Sequence, residues 1–518
     1  MNRKFSLLYL ILSGCLCTAC VQSRHSGTGN SKIRQLTVVI DPSQQYQQID
    51  NFGASDAWAC QFVGEWPDQK KNIIADLLFS LDTTLEGKPK GIGLSLWRFN
   101  IGSGSAEQGV GSGIRDEWRR AESFLQADGN YDWEKQAGQQ WFLRAARQRG
   151  VPQFLAFPNS PPVHMTANHK AYATDGQSNL RPENYAAYAD YLANVIRGVE
   201  AQTGVSFQYL SPVNEPQWDW SDAGQEGTPF RNGEIAAIVE TINTKLERDD
   251  LPVSIDVAEA GKINYLYSNA DKPERGDQIS EFFVEGAPHY IGDLSKVGHV
   301  VSAHSYFTTS PDSLAVAMRE EVARKVATVP GLKYWMSEYC ILGDNAGEIR
   351  GNLRDLSMES ALYMAQVIHR DLTIANAAAW HWWLAVSPYD YKDGLVYIDK
   401  QKEDGSYYES KMLWTLGNYS RFIRPGAVRL AASVKADDSS IFISAFIHPE
   451  TRQMTMVVVN ADQEEHRLKL EFKDVEIDLI RTYTTDEERD LTPGSLQQVD
   501  RPVSIAPHSV TTIVGRIE

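Results

Sequence analysis

The sequence predicts an α/β protein made of a (β/α)₈ TIM barrel and a side antiparallel β-sandwich domain. Between residues 47 and 423, apolar strand-like runs alternate with amphipathic helical windows, and eight such runs can be counted. Strict alternation of strand and helix is typical of a parallel sheet, and eight repeats are typical of a closed barrel. After residue 424 the hydrophobic period becomes two and no helical window follows, which predicts antiparallel strands.

The predicted barrel strands are short apolar runs, namely Ile49–Ser55, Leu94–Gly102, Gln153–Ser160, Phe207–Glu215, Val253–Ala260, His299–Tyr306, Tyr334–Tyr339 and Ala377–Ala385. Between them lie windows with helical period, including Lys71–Leu81, Trp133–Arg149, Pro182–Gln202, Gly233–Arg248, Ser313–Ala327 and Met358–Asn376. We therefore predict the catalytic barrel over residues 47–423, with its active site at the carboxyl ends of the strands.

The side domain is predicted over residues 424–518, because the segment Arg424-Pro425-Gly426 ends the last helix of the barrel. Its predicted strands are Val428–Val434, Ser440–Ile447, Gln453–Asn460, Arg467–Phe472, Asp478–Tyr483 and Val503–Ile517. Near the other end of the chain, residues 33–46 contain the alternating run Ile33–Ile40, which predicts one more strand.

The first 20 residues read as a targeting segment. Arg3-Lys4 precede the apolar run Phe5–Leu12, which is too short to span a bilayer as a mature anchor. Leu12-Ser13-Gly14-Cys15 resembles a bacterial lipobox, and Cys20 is a second candidate for lipidation. Residues 21–32 are small and polar, as in a flexible tether. We expect an outer-membrane or cell-surface lipoprotein, or a periplasmic protein if an ordinary signal peptidase cleaves the segment.

Composition limits the class of ligand. The formal net charge of −17 argues against nucleic acid and anionic membrane surfaces as partners and fits a neutral ligand. Only Cys60 and Cys340 follow the targeting segment, so the sequence holds no disulfide framework. We expect no cofactor, a monomer, and membrane attachment only through an N-terminal lipid.

The stretch Ser211–Trp220 carries the strongest chemical signal. Pro212 and Pro216 keep it from forming a helix, so Glu215 is expected at the end of the fourth strand, beside Asn214. A carboxylic acid can protonate a leaving oxygen, an amide can bind a ring hydroxyl, and indoles stack on pyranose faces. The alternative is an ordinary turn in which Glu215 is solvated.

A second carboxylate, Glu338, ends the predicted seventh strand in the sequence Ser-Glu-Tyr. In an eight-stranded barrel, Glu215 and Glu338 would meet at one rim. Two carboxyl groups about 5–5.5 Å apart are the arrangement of retaining glycosidases, with one acid/base and one nucleophile. Mutual repulsion would raise the pKa of one of them and keep Glu215 protonated until it acts.

Further strand ends carry polar and aromatic residues that we predict to bind substrate. Tyr306 could orient Glu338 or serve as wall packing, and Glu259 is the residue most expected to be ordinary. The indoles of Trp58, Trp218 and Trp383 are predicted to stack on sugar rings, against the alternative that they pack in the core. The predicted substrate-binding residues are Asp56, Trp58, Arg98, Asn100, Asn159, Asn214, Trp218, His304, Tyr306, Trp380 and Trp383.

Six motifs in this order resemble glycoside hydrolase family thirty, a family of retaining (β/α)₈ enzymes. They are Ile49-Asp-Asn-Phe-Gly-Ala-Ser-Asp56, Leu96-Trp-Arg98-Phe-Asn100-Ile-Gly, Asn159-Ser-Pro-Pro162, Asn214-Glu215-Pro216, Ser337-Glu338-Tyr339 and Ser420-Arg-Phe-Ile-Arg-Pro-Gly426. The resemblance implies that Glu215 is the acid/base, Glu338 the nucleophile, Asn214 a ligand of the sugar 2-hydroxyl and Arg98 a support of the nucleophile. It also implies that the strand at Ile33–Pro42 joins the side domain.

The resemblance favours the β-1,6-galactanase branch, through Asp56-Ala-Trp58 and Trp380-His-Trp382-Trp383. Endo-β-1,6-galactanase activity on plant or host glycans is therefore expected, with xylanase, β-1,6-glucanase and glucosylceramidase as alternatives within the family. Two other classes stay open: a catalytically dead glycan-binding lipoprotein and a metallohydrolase. The two glutamates argue against the first, and the scattered positions of His164, His169 and His381 argue against a metal.

Overall fold

The computed structural model describes residues 34–435 and 440–517. The first strand, β1 (Arg34–Gln48), belongs to the side sheet and leads directly into the barrel. Eight parallel strands then close a barrel, because the last of them pairs with both the first and the seventh. They are β2 (Asn51–Ser55), β3 (Leu96–Ile101), β4 (Gln153–Pro158), β5 (Tyr209–Leu210), β6 (Ser254–Ala260), β7 (Val297–His304), β8 (Lys333–Tyr339) and β9 (Ala379–Ser387). The predicted barrel is confirmed.

Strand β5 is much shorter than the predicted run Phe207–Glu215. Its ladder to β4 and β6 involves only Tyr209 and Leu210. Pro212 has no N–H to donate, so a regular ladder ends before it. The residues after β5 therefore leave the sheet early and are free to shape the rim of the barrel.

The helices surround the barrel and cover its apolar strands. They are α1 (Cys60–Val63), α2 (Asp68–Phe79), α3 (Ser105–Gln108), α4 (Ala137–Gln148), α5 (Tyr185–Thr203), α6 (Asn232–Arg248), α7 (Gln278–Phe283), α8 (Asp312–Val326), α9 (Met358–Thr373) and α10 (Lys411–Ser420). Single turns of 3₁₀ helix lie at Gly109–Ser112, Glu117–Arg119, Pro182–Asn184, Ile263–Leu266 and Asn345–Gly347.

Local sequence accounts for the helix ends. Helix α5 stops where Gly204 takes a left-handed φ of 68°, and α10 begins where the Ser410 hydroxyl accepts a bond from the N–H of Leu413. The only α-helix between β6 and β7 is the six-residue α7, because residues 268–277 are rich in Asn, Asp, Pro and Gly. Among residues 34–435 and 440–517, no helix is both long and apolar enough to cross a membrane.

Two short strands extend the barrel sheet beyond the predicted elements. Strand β10 (Gly394–Ile398) pairs in parallel with the end of β9, and β11 (Tyr407–Glu409) pairs antiparallel with β10. They carry the chain from β9 to α10 and place the loop 388–393 beside the carboxyl end of the barrel.

The side domain is a ten-stranded sheet. It combines β1 with the C-terminal strands, as predicted. The C-terminal strands are β12 (Val428–Val434), β13 (Ile441–Ile447), β14 (Gln453–Asn460), β15 (His466–Phe472), β16 (Leu479–Thr485), β17 (Thr492–Pro493), β18 (Gln497–Gln498), β19 (Val503–Ile505) and β20 (Ser509–Arg516). Strand β1 lies between β12, its antiparallel partner, and β15, its parallel partner. The predicted single strand Val503–Ile517 is two strands, because Pro507 and His508 (φ 43°) turn the chain between them.

The side sheet encloses its own core and also packs on the barrel. Met454, Met456 and Val458 of β14 face the core of the side domain, whereas Val457 and Val459 belong to the core of the barrel. This alternation follows from the two-residue period of a strand. The targeting segment with Cys15 and Cys20 lies outside the described residues.

Candidate active site

The two predicted catalytic carboxylates meet at the carboxyl end of the barrel. Glu338 lies in β8 and Glu215 lies five residues after β5, and carboxylate oxygens of the two residues are within 4.8 Å of each other. Both side chains are buried, at 7% and 3% exposure for Glu215 and Glu338, yet both line one cavity of about 780 Å³. Glu215 has a left-handed φ of 44°, an uncommon conformation for this residue type that often marks a functional position.

Both oxygens of Glu338 accept hydrogen bonds. Nη1 of the fully buried Arg98 donates to Oε2 at 2.9 Å, and the Tyr306 hydroxyl donates to Oε1 at 3.0 Å. Burial raises the pKa of the Glu338 carboxyl, and the positive charges of His304 and Arg98 oppose that rise. The two donors fix the orientation of the carboxylate, and the two positive charges offset part of the cost of burying its negative charge.

His304 bridges two carboxylates. Its Nδ1 lies 2.9 Å from Oε1 of Glu215, and its Nε2 lies 2.8 Å from Oε2 of Glu259. The same Nδ1 is 3.5 Å from Oε1 of Glu338. Burial acts to lower the pKa of His304, but the Glu338 charge and the hydrogen bonds to Glu215 and Glu259 raise the pKa to about 10.

Glu259, which we expected to be ordinary, lies at the centre of this network. Its Oε1 accepts from Nη2 of Arg98 at 3.3 Å and from the Ser211 hydroxyl at 2.9 Å, and Ser337 donates to its Oε2. Burial acts to raise the pKa of Glu259, but Arg98 and His304 hold it well below its usual range. Its place near the end of β6 follows the rule that identified the other site residues, so this signal was present in the sequence.

A second buried acid lies beneath Glu259. The Ser211 hydroxyl is 2.9 Å from both Oδ2 of Asp256 and Oε1 of Glu259. Burial and the nearby Glu259 charge raise the pKa of Asp256 to about 8, so Asp256 is neutral at pH 7. A protonated Asp256 can donate to Ser211, which leaves the Ser211 proton for Glu259. Sequence reasoning did not identify Asp256 or Ser211 as part of the site.

Aromatic side chains line much of the cavity. Trp58 and Trp383 meet edge to face, with ring centroids 5.3 Å apart and an interplanar angle of 87°. Trp218 also lines the cavity and contacts Phe307 at 6.2 Å between centroids. Cavity-lining residues that sequence reasoning did not single out include Trp220, Phe307, Tyr391 and Asp393. The cavity therefore offers several flat apolar faces together with two carboxylates, as expected for a sugar-binding cleft.

Trp380, predicted to bind substrate, lies instead on the outer face of β9. It is fully buried and its Nε1 donates to Asp371 of α9 at 3.0 Å. Successive residues of a strand point to opposite faces, so Trp380 and Trp383 cannot share one role.

Four further predicted residues differ in their distance from the cavity. Asn214 lines it, and its Oδ1 has no hydrogen-bond partner among the described residues. Asp56, Asn100 and Asn159 are buried and do not line it. Asp56 Oδ1 accepts from the N–H of Asn100 at 2.8 Å, and burial raises the pKa of Asp56 to about 8. Asp56 thus holds the carboxyl end of β3.

Cys60 and Cys340 are buried and unpaired. Cys340 lines the cavity, and its Sγ is 3.9 Å from the Tyr306 hydroxyl. Burial raises the pKa of both thiols, so neither is an activated nucleophile.

Glu215, His304 and Glu338 also offer ligand atoms within 4.8 Å of one another, a spacing that could hold a metal ion. However, Arg98 already donates to Glu338, and both ring nitrogens of His304 lie against carboxylates. A dication would have to displace a proton from His304 and would repel Arg98. The donor set fits an ion-pair network better than a metal centre.

Comparisons with known proteins agree with this architecture. A model of O-glycosyl hydrolase family 30 matches residues 35–397. An endo-β-1,6-galactanase from Hypocrea rufa is 24% identical over 409 residues, which cover 75% of this chain and 75% of that protein. A glucuronoxylanase from Bacillus subtilis is 22% identical over 375 residues, 72% of this chain and 75% of the relative. A conserved exported protein from Bacteroides fragilis is 33% identical in structure-based alignment, with a TM-score of 0.86 over 92% of this chain and 100% of that chain.

Proposed function

The chain belongs to O-glycosyl hydrolase family 30, and from this premise we propose that it is a retaining β-glycosidase with Glu215 as acid/base and Glu338 as nucleophile. The observation that carries the proposal is that carboxylate oxygens of the two residues lie within 4.8 Å of each other. Inverting enzymes hold the two carboxyl groups about 6.5–9.5 Å apart, to leave space for a water molecule. The shorter separation instead suits direct attack by one carboxylate on the anomeric carbon.

In the first step, Glu338 attacks the anomeric carbon while Glu215 gives its proton to the leaving oxygen. The hydrogen bonds from Arg98 and Tyr306 hold the attacking carboxylate in one orientation. In the second step, the Glu215 carboxylate removes a proton from water, and the resulting hydroxide displaces Glu338 from the sugar. Two inversions return the anomeric carbon to the β configuration.

Substrate contacts are proposed for residues around the two carboxylates. The Oδ1 atom of Asn214, which has no partner among the described residues, is proposed to accept from a ring hydroxyl, and Trp58, Trp218 and Trp383 are proposed to stack on sugar rings. Because both carboxylates are buried and line the cavity, we propose that the cleaved bond lies within it, against its aromatic lining.

For the substrate we propose β-1,6-galactan. The relative from Hypocrea rufa is named an endo-β-1,6-galactanase, and the strand-one and strand-eight motifs favour the same branch. Xylan, β-1,6-glucan and glucosylceramide are the alternatives. Incubation with linkage-defined oligosaccharides tests the choice, with Glu338→Gln as the inactive control. Release of products from β-1,6-galactooligosaccharides is expected, whereas cleavage of xylooligosaccharides alone would overturn the galactan assignment.

We propose that the enzyme is exported and held at a membrane by a lipid on Cys15 or Cys20. A small apolar segment followed by these cysteines supports this, and the relative from Bacteroides fragilis is described as exported. Metabolic labelling with a fatty acid tests it. Label should be lost in Cys15→Ser or in Cys20→Ser, and an unlabelled wild-type protein would exclude the anchor.

A further inference from the structure

The fully buried ring of His304 has a carboxylate oxygen within 2.9 Å of each nitrogen. A neutral imidazole has one N–H, so it could donate to only one of these carboxylates. The other contact would then need a protonated carboxyl as donor. An imidazolium donates to both, and its charge offsets the buried negative charges around it.

We propose that Glu259 is a positioning residue that keeps His304 in the imidazolium form, and that this imidazolium sets the acidity of Glu215. The proposal rests on the acid/base role proposed for Glu215 and adds the residue that tunes it. Glu259 itself does not line the cavity and is not expected to touch substrate.

Glu259 is suited to be the fixed negative charge. Donors from four side chains, Arg98, Ser211, His304 and Ser337, converge on its two oxygens. Carboxylates that accept several hydrogen bonds keep their charge even when buried. The neighbouring Asp256 is held by fewer donors, the hydroxyls of Ser211 and Ser302, and neither Arg98 nor His304 bonds to it, so it is the acid that takes up a proton instead.

The positive and negative charges of the groups around His304 cancel only if the ring is charged. Arg98 and His304 would carry two positive charges, and Glu259 and Glu338 two negative charges. Asp256 is neutral, and the acid role proposed for Glu215 requires that residue to carry a proton before the first step. The other titratable neighbours are Tyr306, on the same segment as His304, and His381 of β9, and burial lowers the pKa of His381 to about 3, so it is uncharged. Burial raises the pKa of the Tyr306 hydroxyl, which therefore also stays neutral.

The consequence falls on Glu215. Its Oε1 accepts from Nδ1–H of His304, and no described residue donates to its Oε2, which is left to carry the transferable proton. When Oε2 gives that proton to the leaving oxygen, the imidazolium stabilises the new carboxylate. Glu215 is then a stronger acid than it would be beside a neutral ring.

The charge of His304 can be measured directly in the wild-type enzyme. Nitrogen NMR of histidine-labelled protein, assigned with His304→Gln, should show both ring nitrogens protonated at pH 7. This measurement requires no substrate, so its result does not depend on whether Glu215 is the acid/base. A single protonated nitrogen would overturn the proposal.

The pH profile of Glu259→Gln tests the coupling to Glu215. If Glu259 holds the proton on His304, the variant has a neutral ring, Glu215 loses its cationic neighbour, and the alkaline limb of kcat/KM moves up by about one pH unit or more. If His304 stayed charged, loss of the Glu259 charge would lower the pKa of Glu215 and move the limb down. An unchanged or lowered limb therefore contradicts the proposal.

Glu259→Asp is the matched control, because it keeps the charge, and its alkaline limb should stay near that of the wild type. Failure of the proposed function gives a different result: Glu215→Gln would then retain the alkaline limb of the wild-type profile. If Glu259→Gln does not fold, the wild-type NMR measurement still decides the charge of His304.

Discussion

Arg98 and Glu338 form a 2.9 Å ion pair in which the guanidinium is fully buried. A second nitrogen of Arg98 reaches Glu259, so one side chain of β3 neutralises acids on β6 and β8. The ion pair thus lies inside the barrel and also forms part of the candidate active site.

Replacing Arg98 by Ala should therefore reduce stability and activity together. Removing one partner of a buried ion pair leaves an uncompensated charge and costs about 3–5 kcal/mol in the free energy of unfolding. Urea denaturation measures this cost. Arg324→Ala is the control, because the Arg324–Glu321 pair is exposed and solvent screens it, so its removal should leave the free energy of unfolding almost unchanged. Equal effects of the two substitutions would show that the Arg98 network is not a stabilising feature.

Glu215→Ala should slow hydrolysis of substrates with poor leaving groups by about 10²–10⁴-fold, because their oxygen needs a proton as it departs. Aryl glycosides with acidic phenols need little protonation, so their glycosylation step should change much less. Pre-steady-state release of the phenol separates this step from the second one. A uniform loss on both substrate types would assign proton transfer to another residue.

The first product released should have the β configuration. Because the carboxylate oxygens lie within 4.8 Å, Glu338 can reach the anomeric carbon without an intervening water molecule. Proton NMR during the first minutes of hydrolysis should show the β anomer, with the α anomer growing only by mutarotation. Initial α product would refute both the retaining mechanism and the nucleophile role of Glu338.

Trp218→Ala should weaken substrate binding more than it weakens the fold. Trp218 is only partly buried and lines the cavity, whereas Trp97 is fully buried between Phe79 and Phe142. We expect a raised KM for Trp218→Ala with little change in Tm, and a loss of about 3–5 kcal/mol of stability for Trp97→Ala. An unchanged KM for Trp218→Ala would remove this residue from the binding surface.

Glu226→Gln should weaken the pH dependence of stability. Glu226 is buried, accepts from the N–H groups of Ser103 and Ser105, and joins the segment after β5 to the segment after β3. Burial raises the pKa of Glu226 from 4.5 to about 7. The folded protein therefore holds this proton more tightly than the unfolded chain, and the stability it contributes is present below pH 4.5 and is lost as the pH rises to 7.

The difference of 2.5 pKa units (7 − 4.5) corresponds to a loss on the order of 3 kcal/mol across that range. Thermal unfolding of the wild type and Glu226→Gln between pH 4.5 and 7 measures it, since the amide cannot ionise. Glu320→Gln, at an exposed position, is the control and should follow the wild type. Parallel curves for all three proteins would contradict the prediction.

The sequence predicted the barrel because its strands are apolar runs that stand apart from amphipathic helices. It also predicted that the carboxylates of Glu215 and Glu338 meet at one rim, since both residues end such runs. Hairpin β10–β11 was not predicted. Gly394–Ile398 is a short apolar run soon after β9, and its sequence does not show that it pairs with β9 and β11. The length of β5 was overestimated, although Pro212 marked its end.

Site residues were harder to predict where their role depends on neighbours distant in sequence. Glu259 is charged only because Arg98 and His304, 161 and 45 residues away, converge on it, and no local pattern contains that information. Trp380 and Trp383 looked equivalent in sequence, and only the direction of each side chain from β9 separates them. The sequence thus indicates which residues lie near the ends of strands, but it does not indicate which neighbours their side chains contact.

The position of β1 between β12 and β15 has a consequence for how the chain is made. Strand β1 pairs with partners roughly 400 and 430 residues later in the chain, for example Val38 with Val434 and Leu470. Until those partners emerge from the ribosome, or from the translocation channel of an exported chain, β1 has two open edges that can pair with other molecules. A truncated chain that lacks β12 and β15 would therefore leave both edges of β1 without their partner strands.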